Sequence, residues 1–310
     1  MIRVVVKRLL LAPVLLFLAS VVAFAFPWLT GLDPAEATLR ARLPERAPDP
    51  ETVARLEAQL GLDEPLFVRY LHWIRELLQG DLGVSYVDRQ PVGEQLLGGL
   101  SVTASLVALA LAAGISAGLL LGTLAAAAGG WTDRAITAVS GLGLMIPEYI
   151  VGPALVLVLA LGLGAFPVEG WDGPASAVLP VLTLAAPALA MSTQLCRAEV
   201  ADALLHPSIL FARARGLSSA RVLFRHALPN ALTSVSSVAG LWIASLLGGS
   251  VIVEVVFNVP GLGRTLYDAV VNGDLPVIQV GLVLVVAAAI LVNLASDLLQ
   301  VAVDPLQRSH

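Results

Sequence analysis

The chain is poor in charge, and poorest of all in lysine. Only 13% of its 310 residues are charged, against roughly a quarter in an ordinary soluble domain, and Lys7 is the only lysine. A phosphate-gripping loop of the Walker A type ends its glycine turn in Lys-Ser/Thr. Lys7 is followed by Arg8 and an apolar run, so the chain carries no ATPase site of that type. The single cysteine, Cys196, excludes an internal disulfide. Histidines stand at 72, 206, 226 and 310, with no His-x-x-x-His or Cys-x-x-Cys pair. A bare transition-metal ion would find few imidazole or thiolate ligands here, and no metal-ligating set is expected. The net charge of −5 excludes a strongly basic nucleic-acid binder.

What the chain has in abundance is apolar surface: 57% of residues are hydrophobic and the mean hydropathy is +0.86. A soluble protein cannot hide that much. Six runs, at 9–29, 102–128, 135–163, 177–196, 233–256 and 277–303, reach the roughly 20 residues that a bilayer core of about 30 Å requires. In lipid the backbone must satisfy itself, so the runs predict an all-α polytopic membrane protein with six transmembrane helices. Basic residues flank the runs unevenly. Arg3, Lys7 and Arg8 precede the first, Arg134 lies between the second and third, Arg197, Arg213, Arg215, Arg221 and Arg225 lie between the fourth and fifth, and Arg308 follows the sixth. The positive-inside rule then puts both termini in the cytoplasm and the segment 30–100 outside. That segment holds seven arginines and twelve acidic residues, which accounts for the whole net charge. Ala23-Phe24-Ala25 fits a signal-peptide cleavage pattern, but Pro27-Trp28-Leu29 continues the apolar run past it, and an uncleaved span with Trp28 as interfacial anchor is expected.

The outer segment reads as helical. Asp49-Pro50 opens one helix and Gly61 closes it. A second begins near Pro65, where Leu66, Tyr70, Trp73, Ile74, Leu77 and Leu78 make one apolar stripe, which either packs on its own protein or docks a soluble partner. Gly114-Ile115-Ser116-Ala117-Gly118 matches the serine-hydrolase pattern, but it sits inside an apolar run with no histidine in any span. Gly114, Gly118 and Gly122 are better explained as a close-packing face. Glu148, after Pro147 in the third run, is either a structural carboxylate packed against another helix or a pathway residue for cationic groups. Glu254 is assigned to snorkelling or capping, or to the same pathway, and Asn293 and Asp297 to polar packing. Between the fourth and fifth runs the sequence reads as helix, break at Pro207, short helix, stop at Gly216, cap at Ser218-Ser219, helix, and stop at Pro229. A plain connector does not need three short helices, whereas a surface that grips another protein does.

The spacing Ala212-x-x-x-Gly216 followed by Leu228-Pro229 resembles the coupling loop of binding-protein-dependent ABC importer permeases. Leu210, Phe211 and His226 depart from the common pattern in the manner of the dipeptide/oligopeptide/nickel branch. Further motifs resemble that branch in order: Asp33-Pro34-Ala35, Leu60-Gly61-Leu62-Asp63-Glu64-Pro65, Gly80-Asp81-Leu82-Gly83, Pro91-Val92, Ile146-Pro147, Gly248-Gly249, Pro260-Gly261-Leu262-Gly263, Asp274-Leu275-Pro276 and Asp304-Pro305. The resemblance implies a type I importer permease, with residues 1–94 as first span plus outer segment and 95–305 as permease core containing a coupling loop at 197–232. It implies a second homologous permease, two cytoplasmic ATPases that hold the ATP and Mg, an extracytoplasmic solute-binding protein, and no cofactor or catalytic residue on this chain. The implied ATPase-coupling residues are Leu210, Phe211, Ala212, Arg213, Arg215, Gly216, Leu217, Leu228 and Pro229. Those of the pathway are Pro147, Glu148, Tyr149 and Glu254, and Pro260, Gly261, Leu262 and Gly263 would dock the binding protein or form a plain hairpin. Short peptides and nickel or other metal chelates stand level as cargo, and a non-transporting membrane scaffold or receptor is the alternative.

Overall fold

Apolar runs whose backbone has no partner but itself become helices. Helices are what the described residues form, apart from one isolated antiparallel bridge between Val84 and Pro91. The computed structural model describes residues 2–31, 33–42, 49–59, 61–62 and 64–303. Asp304-Pro305, Arg308, Leu60 and Asp63 lie outside these, as do the side chains of Trp28, Leu210, Arg213 and Asp297. In chain order the helices are α1 (Ile2–Thr30), α2 (Pro34–Arg42), α3 (Pro50–Gln59), α4 (Leu66–Gln79), α5 (Val92–Ala128), α6 (Gly130–Met145), α7 (Glu148–Leu155), α8 (Pro174–Leu205), α9 (Pro207–Ala214), α10 (Ser219–Val222), α11 (Leu228–Val256), α12 (Leu262–Asn272) and α13 (Leu275–Val303). Wider π-type turns continue α7 through Val156–Gly162 and α10 through Leu223–Ala227.

Among the described residues, four stretches are long and apolar enough to cross a membrane: Leu10–Pro27, Val92–Ala128, Pro174–Leu205 and Leu275–Ser296. The pair Gly130–Met145 and Glu148–Gly162 makes a fifth if taken as one span. That pair is not the continuous helix expected over 135–163, because its two halves are bent by 111°. The cause is local. Ile146 is extended (φ −91°, ψ 118°), as the residue before a proline tends to be, and Pro147 (φ −63°, ψ 145°) has no N–H to carry the ladder on. Glu148 therefore opens a helix instead of sitting in the middle of one. The fifth apolar run lies in the 29-residue α11. Pro229, expected as a stop, instead stands in the first turn of α11, where its missing N–H is not needed. The run Pro260–Gly263 leads into an 11-residue helix, α12, so a plain hairpin is not what joins α11 to α13.

The contacts divide the chain into two units, one of 103–259 with 292–303 and one of 2–102 with 260–291. This division differs from a boundary at 94, because 260–291 pack with the first turns of α5. In the first unit α5 and α8 meet through small residues. A Cβ at Gly114 would stand 2.9 Å from the Ala185 carbonyl, and one at Gly122 would stand 2.5 Å from that of Thr193. Gly118 likewise faces Ser192, so the glycine-every-four pattern is a packing face. Below it Cys196, Val200, Ala227, Ala231 and Val235 form a buried cluster. In the second unit Val92, Leu96, Leu262, Ala269, Val277, Ile278 and Val280 make the main core, and Ala35, Leu39 and Leu56 a smaller one between α2 and α3.

Candidate functional site

Segment 197–232 is built so that one short helix is bounded by a break on each side and packs on its neighbours through buried Ile209. His206 is extended (φ −65°, ψ 139°) and ends α8, and Pro207 opens α9. Gly216 closes the turn at φ +83°, a conformation in which a Cβ is strained even though no atom lies within 4 Å of it. The amide of Leu217 donates to the carbonyl of Ala212 at 3.3 Å and that of Arg215 to Phe211 at 3.0 Å. Ser218 caps α10 by accepting from the Arg221 amide at 3.4 Å. Ile209 and Val222 are buried, while Phe211 is 72% exposed and Arg215, Gly216 and Phe224 are also open. An exposed aromatic on a rigidly bounded helix is the kind of group that anchors a protein partner. Leu217 and Leu228 are half-buried and Pro229 is exposed. Beside this helix lies a cavity of about 390 Å³ lined by Glu199, Asp202, His206, Ser208, His226 and Asn230 among others.

A contact that spacing could not reveal ties this segment to α6. Arg197 donates from Nε and Nη2 to the two carboxylate oxygens of Asp133, at 2.8 and 2.6 Å. The fork-to-carboxylate geometry fixes direction as well as distance. Arg197 stood out in sequence as a basic flank, but Asp133 did not. Nothing in sequence paired residues 64 apart.

At the break between α6 and α7 the residues singled out as pathway candidates come together in part. Pro147 accepts from the amides of Ile150 and Val151, which starts α7. Glu148 is half-buried and Tyr149 is exposed. The Glu148 carboxylate lies against the backbone of Gly249 in α11: a Cβ there would stand 2.6 to 2.7 Å from both oxygens. One of them, Oε2, is buried and has no hydrogen-bond partner among the described residues. Glu254, five residues on from Gly249, is in a different setting. It is fully buried, and Thr103 Oγ1 donates to its Oε1 at 2.7 Å. Snorkelling is thereby replaced by an interior hydrogen bond between α5 and α11.

In the second unit the Pro260–Gly263 run is mostly interior. Pro260 is exposed, but Gly261, Leu262 and Gly263 are buried, and the backbone of Leu262 passes so close to α5 that a Cβ at Gly99 would stand 2.9 Å from its amide nitrogen. Pro260 borders a cavity of about 650 Å³ that is also lined by Asp88, Glu94, Gln95, Thr265 and Asp268. The loop at its rim is pinned by Asp274, which accepts from Ser85 Oγ and, at 3.0 Å, from the Tyr86 amide. Arg42 donates to the Tyr86 carbonyl. Asp274 was visible in sequence only as part of a motif; its loop-holding role needed the fold. No group of three His, Cys, Asp or Glu side chains is placed to hold a metal ion among the described residues.

Residues 118–309 match the family described as binding-protein-dependent transport system inner membrane component, and residues 1–107 match the N-terminal part of such components. The chain belongs to this family. It is a permease of a binding-protein-dependent ABC importer, a membrane component and not a catalytic subunit, and a multi-pass protein of the bacterial inner membrane. The glutathione transport system permease GsiC of Escherichia coli O6:H1 is 37% identical over 306 residues, covering 98% of each chain. GsiC of Salmonella choleraesuis is 38% identical over 307 residues at the same coverage. Among solved structures, the inward-facing MetNI methionine ABC transporter superposes with a TM-score of 0.57 at 23% identity, over 69% of this permease and 98% of that chain, which supports the fold.

Proposed function

We propose that this permease forms one half of an ATP-driven import path for short peptides, received from a binding protein outside and released into the cytoplasm. The reading rests on one observation above the rest: a rigidly bounded short helix, α9, with an exposed phenylalanine, in the segment that resembles the coupling loop of such permeases. Segment 197–232 would face the cytoplasm, with both termini on that side. A second homologous permease would complete the path, and two ATPases carrying ATP and Mg would grip α9 and the turn after it through Phe211, Ala212, Arg215 and Leu217, with Leu210 and Arg213 also on α9. Their closure would move α9 as a rigid body and, through the Arg197–Asp133 fork, carry α6 with it. Peptides are favoured over metal chelates because the full-length relatives are named for transport of glutathione, a tripeptide. Glu148 would line the path and favour a peptide's ammonium group. A charge at that depth is costly unless it meets a partner or a water-filled path, and one of its oxygens accepts no hydrogen bond from any described residue. The binding protein would dock around exposed Pro260 and the neighbouring cavity rim.

The test is Gly216→Val. A β-branched residue strains the turn, and Gly216→Asn, which tolerates positive φ, serves as control. The valine variant should reach the membrane normally but lose about tenfold or more of solute-stimulated ATP hydrolysis, a shift of roughly 1.4 kcal/mol in coupling, and should co-purify poorly with the ATPases. The asparagine variant should keep most of both. Wild-type coupling in the valine variant would remove α9 as the contact.

A further inference from the structure

The apolar stripe of α4 is wider than its packing needs. Along Leu66–Gln79 the apolar residues fall into two adjoining faces. On one, Tyr70, Trp73 and Leu77 are half-buried, and the Tyr70 and Trp73 rings pack on Phe24 of α1 with centroids 5.4 and 5.9 Å away. On the other, Phe67, Leu71 and Leu78 follow at i, i+4 and i+11 and stay open: 70%, 46% and 82% exposed. Three large apolar side chains on one helix face in water would be an unfavourable patch.

The position of α4 says what covers them. Tyr70 Oη and Ser20 Oγ lie 2.9 Å apart. Ser20 is within the apolar stretch Leu10–Pro27, seven residues before its end, or roughly 10 Å deep at helical rise. A tyrosine that reaches this depth holds its helix in the headgroup layer, not above it. Phe17, Leu18, Val21 and Val22 are also exposed along the same span. At the polar borders of α4, Arg69 lies 5.9 Å from the centre of the Phe24 ring and Arg75 is exposed, where lipid phosphates would be met.

We propose that α4 is an interfacial helix that inserts Phe67, Leu71 and Leu78 into the leaflet at the Pro27 end of α1, with Arg75 at the phosphate level. The open face is thus a lipid contact, and α4 braces the first span against the membrane surface. This needs only that α1 crosses the bilayer; it does not depend on the cargo.

The test places nitroxide labels on the full chain by Phe67→Cys, Leu71→Cys, Leu78→Cys, Glu76→Cys and Gln79→Cys, all at exposed positions, with buried Cys196 left in place. The protein is reconstituted in vesicles of phosphatidylethanolamine and phosphatidylglycerol. Collisions with oxygen and with a water-soluble nickel chelate are read by power saturation. Labels at 67, 71 and 78 should show oxygen-to-chelate ratios severalfold above those at 76 and 79. Equal ratios at all five positions would put the face in water and overturn the proposal. Protection of 67, 71 and 78 from both probes would overturn it in favour of a protein partner.

Discussion

Two glutamates on membrane helices, Glu148 and Glu254, carry the same group into opposite settings. Glu254 lies wholly inside the first unit, with the Thr103 hydroxyl donating to it, and joins α5 to α11. Glu148 stands at a helix break, half-buried against a glycine, with one buried oxygen unmatched among the described residues. A buried carboxylate with fixed donors belongs to the scaffold, because its bonds are satisfied before any solute arrives. One with spare accepting capacity beside a gap in the helix can meet a donor that comes and goes. What separates the two is the space and the donors around each, and neither is written in the residue type.

The largest effect is expected at Gly249. Gly249→Val places a side chain where the Glu148 carboxylate now lies, 2.6 Å from the nearer oxygen. Either the carboxylate moves or α11 does, and ATP-dependent uptake should fall at least about tenfold while the Thr103–Glu254 bond and the yield of assembled complex survive. Uptake at the wild-type rate would mean that the carboxylate's position is irrelevant to transport. A smaller effect is expected on the scaffold side. Thr103→Val removes one donor from a buried carboxylate and should cost about 1–3 kcal/mol, read as a lower melting temperature of the complex, with uptake per assembled complex unchanged. A transport defect at normal stability would erase the distinction between the two sites.

The smallest effect concerns a third carboxylate, outside the spans. Burial alone pushes the Asp88 carboxyl up, but the Gln90 amide and the Gln95 side chain donate to it and hold it below the ordinary carboxylate value. A group whose folded value is depressed stabilises fully above its unfolded value and loses that contribution as pH falls through the folded one. Hydrogen exchange at the Gln90 amide, which donates to Asp88 at 3.0 Å, should stay slow above about pH 4 and speed up, relative to the intrinsic rate, only below it. A change starting at higher pH would mean that Asp88 is not the group that holds the loop.

Much of this was legible beforehand. Apolar runs long enough to span the bilayer announced the membrane helices, and the glycines at 114, 118 and 122 announced the α5–α8 contact. The order Pro207, Gly216, Ser218 announced the separate short helix, since each acts within its own turn. What stayed hidden depended on partners far along the chain. Arg197 finds Asp133 across 64 residues, Ser85 finds Asp274 across 189, and Thr103 finds Glu254 across 151. Two local expectations also gave way to local causes. Pro147 divides the third run because the residue before it leaves the helical region, and Pro229 starts a helix because a first turn tolerates proline. Leu262, read as a docking residue, is a core residue of its unit, so Leu262→Asp would test folding before docking.

If Glu148 meets a peptide's ammonium group in the path, removing its charge should remove the preference for a free amino terminus. The direct measurement is ATP-dependent uptake, per assembled complex in proteoliposomes, of one short peptide with a free amino terminus and of the same peptide acetylated. Wild type and Glu148→Gln are compared. Wild type should favour the free peptide, and the glutamine variant should lose that preference while assembling normally. An equal preference in both proteins would contradict that role of Glu148.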